Sequence, residues 1–113
     1  MTLALAIEPH DTLVVTLRNG PAETILSVRN SAAGMTSLER AAADAAETGY
    51  GECFWPSVEG GQYWWIFKRT HDTVDVVVLW TRGGVAIWEH VFRATDQFSW
   101  FHDQLTAAIA PLR

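Results

Sequence analysis

The chain has 113 residues, a single-domain length (1–113) that can bury a core without disulfide or metal staples. At 49% hydrophobic and 19% charged residues its composition is that of a globular protein and excludes a disordered chain. The formal net charge of -5 argues against a nucleic-acid or anionic-membrane surface, because both need clustered Lys and Arg, and it is compatible with a basic protein partner.

Three short alternating runs open the chain. Thr2–Ile7 places Leu3, Leu5 and Ile7 on one side, and Pro9-His10-Asp11 makes a turn. Thr12–Arg18 aligns Leu13, Val15 and Leu17, Asn19-Gly20-Pro21 turns again, and Ala22–Arg29 pairs Leu26 with Val28. These runs predict a three-stranded meander. The N-terminal apolar stretch is short, lacks a basic flank and meets Glu8, His10 and Asp11 at once, so no signal peptide is expected. No apolar run reaches membrane-spanning length.

A helix follows. Thr36 and Glu39 have capping-box spacing, Leu38, Ala41, Ala42 and Ala45 form a narrow apolar stripe, and Gly49 suits a helix end after Thr48. Glu52 to Gly61 reads as an aromatic and glycine-rich connection. Gln62–Thr70, Thr73–Thr81 and Val85–Ala94 then read as three strong strands, joined through His71-Asp72 and Arg82-Gly83-Gly84. Thr95 or Asp96 would cap a last helix whose buried face is Phe98, Phe101, Leu105, Ala108 and Leu112. The predicted fold is α+β, an antiparallel sheet of about six strands in the order β-β-β-α-β-β-β-α, with two helices packed on one face.

All six tryptophans lie between Trp55 and Trp100. Charges mark the wet side of each late strand: Lys68 shares a side with Trp64 and Ile66, Asp75 with Val77 and Leu79, and Glu89 and Arg93 with Ile87. The opposite, core-facing set is then Tyr63, Trp65, Phe67, Val74, Val76, Val78, Trp80, Ala86, Trp88 and Phe92, with His90 also inward. Trp64, Ile66, Val77, Leu79 and Ile87 leave the wet face with more apolar surface than a monomer usually exposes. It is covered by the chain itself, or it is a protein interface or a ligand groove. A one-residue bulge would exchange the faces.

No motif for catalysis, cofactor or metal stands out. The four histidines have no metal-ligand spacing, and Glu89 and His90 point to opposite faces of one strand. Cys53 is the only cysteine, which rules out an internal disulfide and a thiolate metal site and suits a reducing cytoplasm. Ser57 lacks a nucleophile elbow. Glu52 and Glu59 flank Trp55 in the expected loop, and carboxylates around an aromatic suit a cation or a basic partner.

The stretch Trp55-Pro56-Ser57-Val58-Glu59-Gly60, a strand, and then Thr70-His71-Asp72 before a Val-rich strand resembles a family of uncharacterised small bacterial domains. There a W-x-S-x-E-G segment follows a helix and a T-H-D turn precedes the next strand. The resemblance runs from Leu38 to the C-terminus and carries over no catalytic residue. The size, acidity and sheet-plus-helices plan are also similar to immunity proteins of bacterial toxin systems, a likeness of architecture only.

The expectation is a non-enzymatic, cytoplasmic interaction protein without cofactor, in the class of immunity proteins and secretion chaperones. Its partner-binding residues would be Trp55, Glu52, Glu59, Trp64, Ile66, Leu79 and Ile87. The partner is a basic protein, or a second copy docked on the outer sheet face. The alternative is a small-molecule binder or minor enzyme with a pocket lined by Trp64, Trp80 or Trp88.

Overall fold

A computed structural model describes residues 1–58, 60–83 and 87–113. Its elements are β1 (Thr2–Glu8), β2 (Thr12–Asn19), β3 (Ala22–Arg29), α1 (Ser31–Thr48), β4 (Tyr50–Pro56), β5 (Gln62–Thr70), β6 (Thr73–Thr81), β7 (Glu89–Gln97) and α2 (Phe98–Ile109), and the chain closes in a 3-10 turn. The α+β class and the antiparallel pairing are as expected. The strands form two sheets instead of one, β1-β2-β3 and β4-β5-β6-β7. No helix among the described residues is long and apolar enough to cross a membrane.

The additional strand is β4, which the sequence disguised as a loop. It alternates strictly: Gly51, Cys53 and Trp55 are buried, while Tyr50, Glu52, Phe54 and Pro56 are exposed. Gly51 is there because α1 lies directly on the strand. A Cβ on Gly51 would stand 1.8 Å from the Ala41 carbonyl oxygen. A glycine inside a strand here marks close backbone approach and not a break.

Helix α1 starts five residues ahead of the expected capping box. Asn30 takes the cap in the left-handed region (φ 63°), its side chain accepting from the Ala33 N–H at 3.2 Å. Asp11, in the first turn of the meander, accepts from the Ser31 N–H at 3.3 Å and from the Ser31 hydroxyl. Two of the orphan donors at the helix start are thus satisfied, one of them from a distant turn, and Thr36 falls inside the helix. At the other end the Gly49 N–H donates to the Ala45 carbonyl with φ 88°. Helix α2 starts at Phe98, after Thr95 and Asp96 have been used by β7; Gln97 precedes it without a side-chain cap.

One continuous core lies on the inner face of the four-stranded sheet. Cys53 and Trp55, Trp65 and Phe67, Val74, Val76 and Val78, and Phe92 and Ala94 supply the sheet side. The helices bring Met35, Leu38, Ala41, Ala42 and Ala45, and Phe98, Phe101, Leu105 and Ile109. The meander adds Leu13, Val15, Leu17, Leu26 and Val28. Each fully buried large side chain among these contributes about 1.5–3 kcal/mol of transfer free energy. Trp55 and Trp65 meet edge to face at 5.0 Å, and Phe67 meets Phe101 at 5.0 Å. Helices and meander all gather on this side.

β7 departs from the expected register. Val78 faces Phe92 but Leu79 faces His90, so Val91 is an extra residue, a bulge. Its carbonyl accepts from the Thr24 hydroxyl of β3 at 2.9 Å. Beyond the bulge the faces exchange, as a one-residue slip demands. His90 therefore faces outward and is exposed, and Trp88 leaves the core.

Candidate functional site: an aromatic face on the four-stranded sheet

Antiparallel pairing brings five neighbouring positions together on the outer face. Glu52 lies opposite Ile66, Phe54 opposite Trp64, and Trp64 opposite Leu79. Phe54 stacks on Trp64 with 5.5 Å between ring centroids and 19° between planes. Trp88, turned outward by the bulge, meets Trp64 edge to face at 5.4 Å and Phe54 at 6.4 Å. Offset or tilted rings at these distances are attractive beyond the area they cover, by about 0.5–1.5 kcal/mol per pair. The three rings form one platform, with Phe54 45% exposed and Trp64 and Trp88 half-buried.

Glu52 orders the rim. Its Oε2 accepts from the Tyr50 hydroxyl at 2.6 Å and from the Trp64 indole N–H at 2.9 Å. Among the described residues both bonds to Glu52 fall on Oε2, which leaves Oε1 available to a further donor. Burial, and then the Glu52 carboxylate accepting its hydrogen bond, push the Tyr50 phenol up to about 12. Tyr50 accordingly remains a hydrogen-bond donor throughout the neutral range and holds Glu52 beside the rings.

Some expected site residues lie elsewhere. Trp55 is not a loop anchor: it is 1% exposed in β4, its indole N–H donating to the Ser37 hydroxyl at 2.9 Å. The strand alternation puts it inward, opposite to Phe54. Ile66 and Leu79 belong to the outer face but are only 8% and 9% exposed, shielded by larger neighbours such as Trp64. They support the platform from below and offer little contact area. Ile87 is 70% exposed but sits with Trp80, Arg82 and Glu89, away from the three rings. Glu59 lies outside the described residues, as do Val85 and Ala86 of the expected sixth strand. Glu52 and Trp64 are the two expected residues that the fold places in the platform. Tyr50 and Phe54 are absent from the expected set, and Trp88 stands in it only as a lining residue of the alternative pocket; the period-two pattern of Tyr50–Pro56 carries the signal for the first two, while nothing local marks the bulge that turns Trp88 outward.

Two other features have chemical content. Cys53 is buried against α1; burial first, and the nearby Glu52 charge, push its thiol up to about 12 against a smaller opposing effect of the Ser37 hydroxyl. A thiol so protonated is a poor nucleophile at neutral pH. A groove of about 650 Å³ runs between β3 and the ends of β5 and β6, lined by Thr24, Ile25, Tyr63, Trp80 and Arg82 among others. Trp80 is thus the only one of the three candidate pocket tryptophans that lines it. Among the described residues no three His, Cys, Asp or Glu side chains gather in a metal-binding arrangement.

No protein-family model matches this chain, and neither a curated protein nor a solved structure does.

Proposed function

We propose that this protein is a non-enzymatic interaction module that binds a basic segment of a partner protein on the outer face of the β4–β7 sheet. One observation carries the reading: Phe54, Trp64 and Trp88 form a partly exposed platform beside a carboxylate whose second oxygen is uncommitted. Lys or Arg fits such a surface in two ways at once. Its aliphatic stem lies on the rings, with a cation–π attraction of about 0.5–2 kcal/mol, and its head reaches Glu52. Trp and its neighbours, already held by mutual stacking, lose little side-chain freedom on binding, which favours them as hot spots. The chain's acidity adds electrostatic steering toward a basic partner. An immunity protein that neutralises a basic toxin and a secretion chaperone would both present a surface of this kind.

The groove beside Trp80 supports a second reading, a small-molecule binder. Its volume lies in the usual ligand-pocket range, and Tyr63, Trp80 and the Arg82 guanidinium, 6.0 Å from the Trp80 ring, offer stacking and charge. Selection of a displayed random-peptide library on the immobilised protein separates the two. The interaction reading expects selected peptides with Lys or Arg next to an apolar residue. Their affinity should fall about tenfold or more in Phe54→Ala, and also in Glu52→Gln, as expected for a lost ring contact or charged hydrogen bond. Peptides insensitive to both variants but lost in Tyr63→Ala would move the binding site to the groove and defeat the proposal.

A further inference from the structure

The inner face of the four-stranded sheet extends beyond its cover. Val74, Val76 and Val78 of β6 are 0% exposed, but Trp80, the next residue on that side, is only half-buried. Its partner across the ladder is Tyr63 of β5, also half-buried, so two aromatic side chains stand side by side where the core ends. The groove of about 650 Å³ that they line is completed by Ile25 and Leu26 of β3 and Val91 of β7, all aliphatic. Gly61 leaves the polar edge of Trp80 uncrowded: a Cβ there would stand 3.0 Å from the indole Nε1.

The polar side chains of the groove favour donors. Among its described lining residues Arg82 is the one charged side chain and there is no carboxylate, in a chain whose net charge is -5. The guanidinium lies 6.0 Å from the Trp80 ring centroid. Among the described residues no hydrogen bond or ion pair engages that guanidinium, the Trp80 indole N–H or the Tyr63 hydroxyl. Glu89 shares an adjoining recess with Trp80 and Arg82 but forms no ion pair with the guanidinium.

We propose that this groove binds a small aromatic carboxylate, its ring against Tyr63 and Trp80 and its carboxylate on the Arg82 guanidinium. The ligand class rests on the small-molecule reading of the groove; the aromatic platform, on the opposite face of the sheet, stays free for a protein partner. An aromatic pair rewards a flat ring by offset stacking, which an aliphatic chain does not obtain. The planar fork of Arg matches a carboxylate with two parallel hydrogen bonds, and the Trp80 indole N–H supplies a further donor at the same end. One guanidinium balances one negative charge. A phosphoryl dianion would leave half its charge unmatched by the described lining, and a cation would meet Arg82 with no carboxylate beside it. The volume is within the usual range for small ligands.

Titration with 2-naphthoate, followed by calorimetry and by proton–nitrogen correlation spectra, tests this, with 2-naphthamide and 2-naphthylmethylammonium as the neutral and cationic counterparts. The carboxylate should bind with a dissociation constant on the order of 100 μM, and the other two at least about tenfold more weakly. Of the six indole N–H signals, the one that Trp80→Phe removes should shift most on binding. Arg82 is exposed, so Arg82→Gln is compatible with the fold, as an unchanged melting temperature would report. That variant should bind 2-naphthoate about tenfold or more weakly, whereas Glu89→Gln and Phe54→Ala should not weaken it. Equal binding of 2-naphthamide, or indifference to Arg82→Gln, overturns the ligand class and leaves the groove as a site for neutral molecules. Loss of binding in Phe54→Ala puts the probe on the platform and overturns the site. If none of the three probes binds at about 5 mM, the proposal and the small-molecule reading fail together.

Discussion

Trp88 packs edge to face on Trp64, 5.4 Å between ring centroids at 64°, on the opposite side of the sheet from Trp65. Simple alternation through Glu89 and Arg93 puts Trp88 inward. The bulge at Val91 turns that stretch over, and the Thr24 hydroxyl of the other sheet holds the bulged carbonyl. A contact between two sheets therefore decides which tryptophans reach the surface.

Stability measurements distinguish the two sides. Trp65→Ala removes a side chain that is 1% exposed and should cost about 3–5 kcal/mol, transfer and cavity together. Trp88→Ala removes a half-buried ring and its contacts with Trp64 and Phe54, and should cost about 1–2 kcal/mol. Urea unfolding followed by circular dichroism gives both values. Equal costs would return Trp88 to the core.

Tyr50 links the platform to pH. With Tyr63→Phe as background, absorbance at 295 nm should show the remaining phenol titrating at about 12 instead of at its ordinary value of 10.0. The native state then holds the proton more tightly than the unfolded chain. That stabilisation is complete below the unfolded value and is lost as pH rises from about 10 to about 12. Glu52→Gln should move the midpoint back only partway, because burial is the larger cause. A wild-type midpoint at 10 would mean that the Tyr50–Glu52 bond is absent in solution.

Cys53 provides a test of the inner face of β4. Its thiol, 9% exposed and pushed up to about 12, should react with Ellman's reagent at pH 8 only as fast as the protein opens. Denaturant should release one equivalent at once. Rapid labelling of the native protein would show that β4 is turned over.

Two glycines should differ sharply when changed to alanine. Gly51→Ala drives a Cβ into the Ala41 carbonyl, a backbone group that cannot swing aside, and should cost about 3 kcal/mol or more. At Gly20 there is open space, and only the left-handed backbone (φ 61°) is strained, a cost of about 1 kcal/mol. Thermal unfolding of the two variants side by side measures the difference.

Much of the fold is legible in the sequence. β5 and β6 begin and end where alternation places them, at Gln62–Thr70 and Thr73–Thr81, because β-branched and aromatic runs bounded by turn residues have few other solutions. The end of α1 at Gly49 was equally plain. Less of the candidate site could be read. Trp64 and Glu52 are legible as site residues, but Phe54 stands in the Glu52–Gly61 stretch that reads as a connection, Tyr50 falls just before it, and Trp55 reads as the anchor in their place.

What the sequence by itself determined is the class and the period: an α+β fold, which segments alternate, and hence which side chains travel together. That information is local, carried by residues two apart in a strand or three and four apart in a helix. Only the tertiary structure decided how those sets are oriented. The helix backbone against Gly51 made a strand of a glycine-containing loop, Asp11 helped to set a helix start twenty residues away, and Thr24 secured the bulge that brings Trp88 to Trp64. Each depends on a partner ten or more residues away, well beyond the two- to four-residue spacings in which a local pattern is read.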